Sequence, residues 1–118
     1  MMELENRIVR FAARCVKVCA VLPVKAIGSA SFADQLFRSS TSVAANYAEA
    51  CEAESAKDFV HKLKIAMKEL SETRTWLRLI GEAEYIENAK LDGLIGESRE
   101  LSRILSASVA TTKKKIGA

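Results

Sequence analysis

The apolar residues of this chain recur at alternating three- and four-residue steps, the spacing of one face of an α-helix. The pattern predicts four helices, at about residues 3–22, 31–53, 56–80 and 88–111, followed by a frayed basic tail at 112–118. Helices joined by connections this short pack most economically beside one another. The expected fold is therefore an all-α, antiparallel up-down-up-down four-helix bundle in a single domain.

Polar residues and glycines mark the predicted helix ends. Ser31 precedes Asp34, and Ser55 precedes Asp58, at the spacing at which a serine caps a helix that carries an acidic residue at its third position. Both serines are expected to begin helices. Gly81 follows the third apolar run directly and is expected to end that helix.

The second predicted helix is short of charge. From Gln35 to Ala48 only Arg38 is charged. Serine and asparagine form helices poorly when they are merely solvated, so this face is interpreted either as a polar exposed surface or as a subunit interface. Arg38 and Glu49 are expected to pair between chains rather than within one, and Asn46 to bond at a buried seam. The predicted interface residues are Arg38, Ser39, Ser42, Ala45, Asn46 and Glu49.

Composition narrows the chemistry that the chain can support. The 118 residues include three cysteines and one histidine, so a zinc site lacks ligands and no metal or cofactor is expected. The cysteines are interpreted as buried thiols in a reducing compartment, and a soft-metal clamp by all three is the alternative. His61 has no Ser or Cys nucleophile one turn away, and no catalytic residues are predicted. The cysteines are Cys15, Cys19 and Cys51.

The N-terminal segment contains an apolar-looking run that ends in small residues, as a signal peptide does. Arg14 and Lys17 interrupt this run, and no stretch approaches the roughly 20 apolar residues that span a bilayer. A cytoplasmic chain without membrane contact is therefore expected.

Basic residues form two rows at helical spacing. The net charge is only +3, so clustering of the cations carries more information than their number. Each row by itself is typical of a solvated helix face, but two rows repeated in an oligomer favour weak, sequence-tolerant binding of RNA or DNA through backbone phosphates. The first row is Arg7, Arg10, Arg14 and Lys17, and the second is Lys57, Lys64 and Lys68, with His61 among them.

Two stretches carry a family resemblance. "QLFRSSTSVAANYAEA" followed by "KDFVHKLKIAMKELSETRTWL" resembles the bacterial four-helix bundle proteins first noted in intervening sequences of 23S ribosomal RNA genes. The family pattern is an Arg, Ser, Asn and Ala-Glu in the second helix, and Phe-x-x-x-Leu with Glu-Thr in the third. The matching residues are Arg38, Ser42, Asn46, Ala48, Glu49, Phe59, Leu63, Glu72 and Thr73.

The resemblance implies an assembly more than an activity. A related branch, the accessory protein of diversity-generating retroelements, forms a pentameric barrel and binds a reverse transcriptase and nucleic acid. The resemblance therefore implies a homo-oligomer here, with a pentamer as the expected form. A protein-binding adaptor or scaffold with no nucleic-acid binding, whose partner is a reverse transcriptase or another protein, is the alternative function.

Overall fold

A computed structural model describes residues 2–117, which form four α-helices. They are α1 (Met2–Val21), α2 (Ser29–Cys51), α3 (Ala56–Glu82) and α4 (Asn88–Lys115). Residues 2–117 contain no strand. Consecutive helices pack against each other along their lengths, and α1 closes the bundle against α4 less extensively. The predicted all-α four-helix bundle is confirmed.

The starts of α2 and α3 differ in their capping. The Ser55 hydroxyl accepts a hydrogen bond from the Asp58 backbone N–H at 3.0 Å, as the sequence predicted for α3. The corresponding prediction for Ser31 was wrong. The helix α2 begins at Ser29, and Gly28 precedes it in a left-handed conformation with φ 77°, which a glycine adopts without strain.

Two helix ends lie beyond their predicted positions. Gly81 does not end α3. It is buried within the last turn, and a Cβ at this position would collide with the Asn88 side chain. The helix α4 continues to Lys115, so Lys113–Lys115 are helical rather than frayed. Met1 and Ala118 lie outside the described residues, so the predicted tail is described only to Gly117.

The core is a continuous apolar cluster with contributions from every helix. Leu36, Leu63, Leu70 and Leu101 are fully buried, and each such side chain contributes about 1.5–3 kcal/mol relative to full exposure. The predicted apolar stripe of α1 is buried at Ile8, Phe11, Cys15 and Leu22. The remaining buried apolar residues are Ala12, Val43, Tyr47, Ala50, Val60, Ala66, Leu77, Ile80, Leu91, Leu94, Leu105 and Val109.

Four small polar side chains of the described residues are fully buried, namely Ser39, Ser40, Thr73 and Ser98. The Thr73 hydroxyl lies 2.8 Å from both Ser39 Oγ and the Glu69 carbonyl oxygen, and Ser98 donates to the Ile95 carbonyl oxygen at 2.7 Å. Every buried side-chain nitrogen and oxygen in residues 2–117 has a hydrogen-bond partner. The polar positions therefore do not interrupt the core.

Helices α1 and α4 are offset along the bundle, which is 51 Å long. Arg7 lies opposite Glu97, and Arg14 lies over Gly93, as expected for antiparallel neighbours. Extending this alignment places the start of α1 beside about residues 102 to 105, so the final turns of α4 extend past α1. Thr112 and Lys115 instead lie beside the α2–α3 connection.

Candidate nucleic-acid interface

The basic row of α1 consists of one paired and three unpaired cations. Arg7 donates through Nε and Nη2 to the two Glu97 carboxylate oxygens at 2.7 and 2.8 Å. This bidentate bond raises the pKa of Arg7 and lowers that of Glu97. Arg10, Arg14 and Lys17 are exposed, and none makes an ion pair with a carboxylate of residues 2–117. Three of the four predicted positions therefore present a charge that has no direct carboxylate partner in the described chain, although the charge of Glu97 acts on Arg10 and Arg14.

A groove of about 320 Å³ separates the second half of α1 from the first half of α4. Arg14, Lys17 and Lys90 contribute cations to its lining, and the other lining residues are apolar. Gly93 lets Arg14 lie close to α4, because a Cβ there would be 3.3 Å from Arg14 Nη2. This groove, hereafter the α1/α4 groove, is also lined by Val18, Val21, Ile86, Leu91 and Leu94.

The basic row of α3 lies on the outside of the bundle. Lys57, Lys64 and Lys68 are exposed, as is His61, and none is paired with a carboxylate within residues 2–117. Lys64 lies next to Lys113 of α4, and this contact lowers the pKa of Lys113. The longer α4 therefore adds Lys113 to the α3 row.

The acidic side chains in the middle of α3 face α2 rather than the basic row. Arg38 donates to Glu69 at 2.8 Å and also to Glu72. Trp76 Nε1 donates to Glu72 at 3.1 Å, and this bond together with Arg38 lowers the pKa of Glu72. The same carboxylates raise the pKa of Arg38. Arg38 of α2 therefore neutralises part of the acidic charge in the middle of α3.

Arg38 and Glu49 both have partners within the chain, which was not expected from the sequence. Arg38 pairs with α3 of its own chain, and Glu49 accepts from Lys62 Nζ at 2.7 Å. The Lys62 pKa is raised by the contact with Glu49. Pairing of Arg38 and Glu49 between chains stays a prediction.

The small polar residues of α2 make most of their side-chain hydrogen bonds within the chain. Ser39 is fully buried against Thr73 and is not available on the surface of the chain, contrary to its predicted place in an interface. Asn46 is half-buried and donates to the Ser42 carbonyl and hydroxyl oxygens at 2.9 and 3.0 Å. Of the six residues predicted for the interface, Ala45 alone is exposed without a side-chain hydrogen bond or ion pair in the described chain. The outward-facing part of α2 is therefore narrower than the sequence suggested.

A group of arginines between α3 and α4 was missed from the sequence. Arg74 is half-buried and donates through Nη1 to Ser98 Oγ at 3.2 Å and, more weakly, to Ser102 Oγ at 3.5 Å. Burial lowers the pKa of Arg74, as do the nearby charges of Arg99 and Arg78. The four-residue spacing of Arg74 and Arg78 was a detectable signal, but Arg99 comes from another helix.

The described residues show no arrangement typical of catalysis or metal binding. No group of three or more His, Cys, Asp or Glu side chains in residues 2–117 is placed to hold a metal ion. Cys15 is buried, Cys19 and Cys51 are half-buried, and all three are free thiols. Burial raises the pKa of Cys15 to about 12, which disfavours the reactive thiolate. None of the helices in the described part of the chain is long and apolar enough to span a membrane.

The geometry defines an all-α bundle with basic outer rows on α1 and α3, and comparison with known proteins agrees with this class. The family model described as 23S rRNA-intervening sequence protein matches residues 2–107. The chain belongs to this family, which confirms the resemblance seen in the sequence. No curated protein gives a significant match to the chain.

One solved structure shares both fold and sequence with this protein. It is the 1.70 Å crystal structure of a protein of unknown function from the S23 ribosomal protein family of Bacteroides thetaiotaomicron. The TM-score is 0.81 and the identity 32%, over 90% of this chain and 97% of that one. The similarity extends over nearly the whole bundle, and the function of the related protein is unknown.

Proposed function

We propose that this protein is a non-catalytic accessory protein that binds RNA or DNA weakly, through backbone phosphates and without sequence preference. The observation that carries this proposal is a set of six exposed cations, none of which pairs with a carboxylate of residues 2–117. Phosphates that bind such cations release condensed counterions, and this release drives association. The six are Arg10, Arg14, Lys17, Lys57, Lys64 and Lys68.

The distribution of charge on α3 supports this proposal. Glu72 lies one turn beyond Lys68 on α3, so a polyanion that approaches Lys68 comes near this carboxylate. Arg38 binds both Glu69 and Glu72. Repulsion between the polyanion and these acids is therefore reduced by the Arg38 charge.

The aromatic residues support binding without sequence preference. Base-specific recognition of single strands uses exposed aromatic rings among the cations. Here Trp76 and Tyr85 instead pack against Phe32, with ring centroids 5.9 Å apart for Phe32 and Trp76, and 5.4 Å for Phe32 and Tyr85. The basic rows contain no Phe, Tyr or Trp. Phosphate contacts alone position a protein on nucleic acid without reading its sequence.

RNA is the first ligand to test. The family description refers to an intervening sequence of 23S rRNA. The same phosphate contacts are available to DNA, because neither basic row contains a feature that distinguishes a ribose from a deoxyribose. Comparable affinity for single-stranded RNA and DNA is therefore part of the proposal.

Self-association is the second part of the proposal, and a pentamer is the expected form because the related branch forms one. Helical spacing places Val9 of α1 and Phe37 of α2 on the outer side of the α1/α2 pair, and each is 51% exposed. Ala13 and Ala45 are also exposed in these helices. Large apolar side chains beside small ones favour close packing against another copy. An oligomer would also repeat the basic rows and strengthen binding of a long polyanion.

The α1/α4 groove favours a second candidate function, that of an adaptor for a protein partner. Its floor is apolar, Val21 at one end is 68% exposed, and three cations contribute to its lining. An acidic amphipathic helix complements such a groove. A reverse transcriptase or another protein that presents this helix would bind there without any nucleic acid.

A filter-binding titration at about 50 mM salt tests the proposal, because phosphate contacts dominate at low ionic strength. The ligands are single-stranded RNA and DNA of mixed sequence. The variant Arg10→Gln, Arg14→Gln, Lys17→Gln should bind more weakly, and its salt slope should be shallower by about two, since each lost single-strand phosphate contact removes about 0.7. The adaptor function predicts no binding by the wild-type protein.

A control variant separates local contacts from total charge. Lys25→Gln, Ala30→Glu, Ser31→Glu changes the net charge by the same amount at three exposed positions outside both rows. It should retain most of the wild-type affinity and salt slope. If the two variants lose affinity equally, the α1 row is not a binding surface.

A further inference from the structure

Arg74, Arg78 and Arg99 form a compact group of like charges where α3 and α4 meet. The two serine hydroxyls that accept from Arg74 Nη1 both belong to α4, so Arg74 spans the two helices. Arg78 lies one turn further along α3, and the charges of Arg78 and Arg99 both act on Arg74. Three guanidinium groups therefore face one short stretch of the α3/α4 seam.

None of these three arginines is neutralised within the described chain. Arg7, Arg38 and Arg103 each pair with a carboxylate of residues 2–117. In contrast, no carboxylate oxygen of these residues lies within 4.0 Å of a nitrogen of Arg74, Arg78 or Arg99. Partial burial of unpaired like charges is unfavourable. An anion bound among the three arginines offsets both the burial of the Arg74 charge and the repulsion between the like charges.

Nearby acids limit where this anion lies. Glu82 and Asp92 line a cavity of about 330 Å³ together with Arg78, Arg99, Asn88 and Ile95. Arg74 is not among the lining residues of this cavity. An anion is therefore expected on the side of Arg78 and Arg99 that faces Arg74. The polar neighbour of Arg74 is Ser102 rather than an acidic residue.

Arg74 is oriented before any ligand arrives. One terminal nitrogen, Nη1, is held by serine hydroxyls, while Nε and Nη2 make no hydrogen bond to residues 2–117. These two nitrogens form the edge of the guanidinium group that binds two oxygens of a phosphate or carboxylate at once. Orientation by Ser98 and Ser102 reduces the entropy lost on binding.

We propose that Arg74, Arg78 and Arg99 form an oxyanion site that binds one phosphate group, with Arg74 bidentate and the other two arginines neutralising its charge. The proposal deepens the proposed function and rests on it for the source of the phosphate, which is the backbone of a nucleic acid. Lys64 and Lys113 lie further along the same seam and extend the cationic path. A free oligophosphate presents the same chemistry and is the other source to test.

The experiment compares two probes on the full-length protein, a uridine homopolymer of about 20 nucleotides and inorganic tripolyphosphate. Arginine Nε–H signals in ¹H–¹⁵N spectra report contact at Arg74 directly. The Arg74 signal should shift with each probe that binds. Affinity for the homopolymer should fall about tenfold in Arg74→Gln, as expected when a charge-assisted hydrogen-bond pair is lost. Arg74→Lys should fall severalfold, because lysine keeps the charge but not the planar fork.

Arg103→Gln is the matched control. It removes the same charge from an exposed arginine of α4 that is already paired with Glu100, and its affinity should change less than twofold. Thermal unfolding of each variant tests folding. If Arg74→Gln does not fold, Arg78→Gln and Arg99→Gln, both at exposed positions, should each weaken binding more than Arg103→Gln.

The outcomes separate this site from the proposed function. If the wild type binds the homopolymer but Arg74→Gln weakens binding no more than Arg103→Gln, the oxyanion site is overturned and nucleic-acid binding stands. If tripolyphosphate shifts the Arg74 signal and the homopolymer does not bind, the site stands and the proposed function is overturned. If neither probe binds, both are overturned.

Discussion

The hydroxyl oxygens of Ser39 and Thr73 lie 2.8 Å apart across the α2/α3 interface, and both side chains are fully buried. The contact explains part of the low charge of α2. A serine at position 39 leaves room for α3 to approach, and its hydroxyl is satisfied by Thr73 rather than by water. A residue that the sequence assigned to an intermolecular surface therefore belongs to the core.

Replacing Ser39 with a larger apolar residue should destabilise the fold. We expect Ser39→Leu to lower the free energy of unfolding by about 1–3 kcal/mol or more, because three additional carbons enter a fully packed site. Ser42→Leu is the control, since Ser42 is half-buried on the same helix, and its cost should be clearly smaller. Urea denaturation measures both values. Equal costs would contradict the core assignment of Ser39.

The Arg7–Glu97 pair should make stability depend on pH. Arg7 holds the pKa of Glu97 below its ordinary value of 4.5, so the pair stabilises the fold above that pH and is lost as the pH falls through the lowered pKa. Glu97→Gln should therefore cost about 1 kcal/mol at pH 7, and this cost should decrease as the pH falls below 4.5. Urea denaturation across this range tests the prediction.

Glu100→Gln is the control for this series. Glu100 pairs with Arg103 within one exposed turn of α4, and such pairs contribute only a few tenths of a kcal/mol, roughly 0.3–0.5. At pH 7, Glu100→Gln should lower the free energy of unfolding less than Glu97→Gln does. A Glu97→Gln cost that does not change with pH would show that the ion pair is not its source.

Self-association should depend on the outer side of α1 and α2. Phe37→Glu should reduce the particle mass towards the 12.9 kDa of one chain, because a buried, unpaired carboxylate is unfavourable at an interface. Leu79→Glu is the matched control, since Leu79 is 43% exposed on α3, and it should leave the mass unchanged. Light scattering at micromolar concentration distinguishes the two. A monomeric wild-type protein would rule out the oligomer altogether.

The three thiols should differ in their reactivity. Cys15 is fully buried, and burial raises its pKa to about 12, whereas Cys51 is half-buried. Iodoacetamide at about pH 8 should therefore modify Cys51 well before Cys15. In denaturant all three should react at similar rates. Peptide mass mapping identifies the modified residue, and early modification of Cys15 would show that the α1 core opens readily.

The helices were predictable because their signals are local. Leu36, Val43 and Ala50 recur at seven-residue steps on α2, and the Ser55 cap lies next to the helix that it begins. The end of α3 was not predictable in the same way. Gly81 resembles a terminator, but it lies in the last turn of α3, where a Cβ would meet the Asn88 side chain of α4. This contact between helices is not visible in the sequence.

The candidate site was predictable only in part. Helical spacing is enough to place Arg10, Arg14 and Lys17 in one row. It does not show that Arg7 is neutralised by Glu97, 90 residues away. It also does not show that Arg99 approaches Arg74, because proximity between helices depends on their alignment in the bundle.

The offset between α1 and α4 has a consequence for motion. Beyond about residue 105 the end of α4 extends past the start of α1, and Val109 is the only buried apolar side chain there among the described residues, so fewer apolar contacts oppose its separation from α3. Amide hydrogens from Ser106 to Lys115 should exchange faster with deuterium than those of α3 opposite them. This opening would move Lys113–Lys115 away from Lys64 while the rest of the bundle stays folded. The number of cations next to Lys64 can therefore change on a timescale shorter than that of global unfolding.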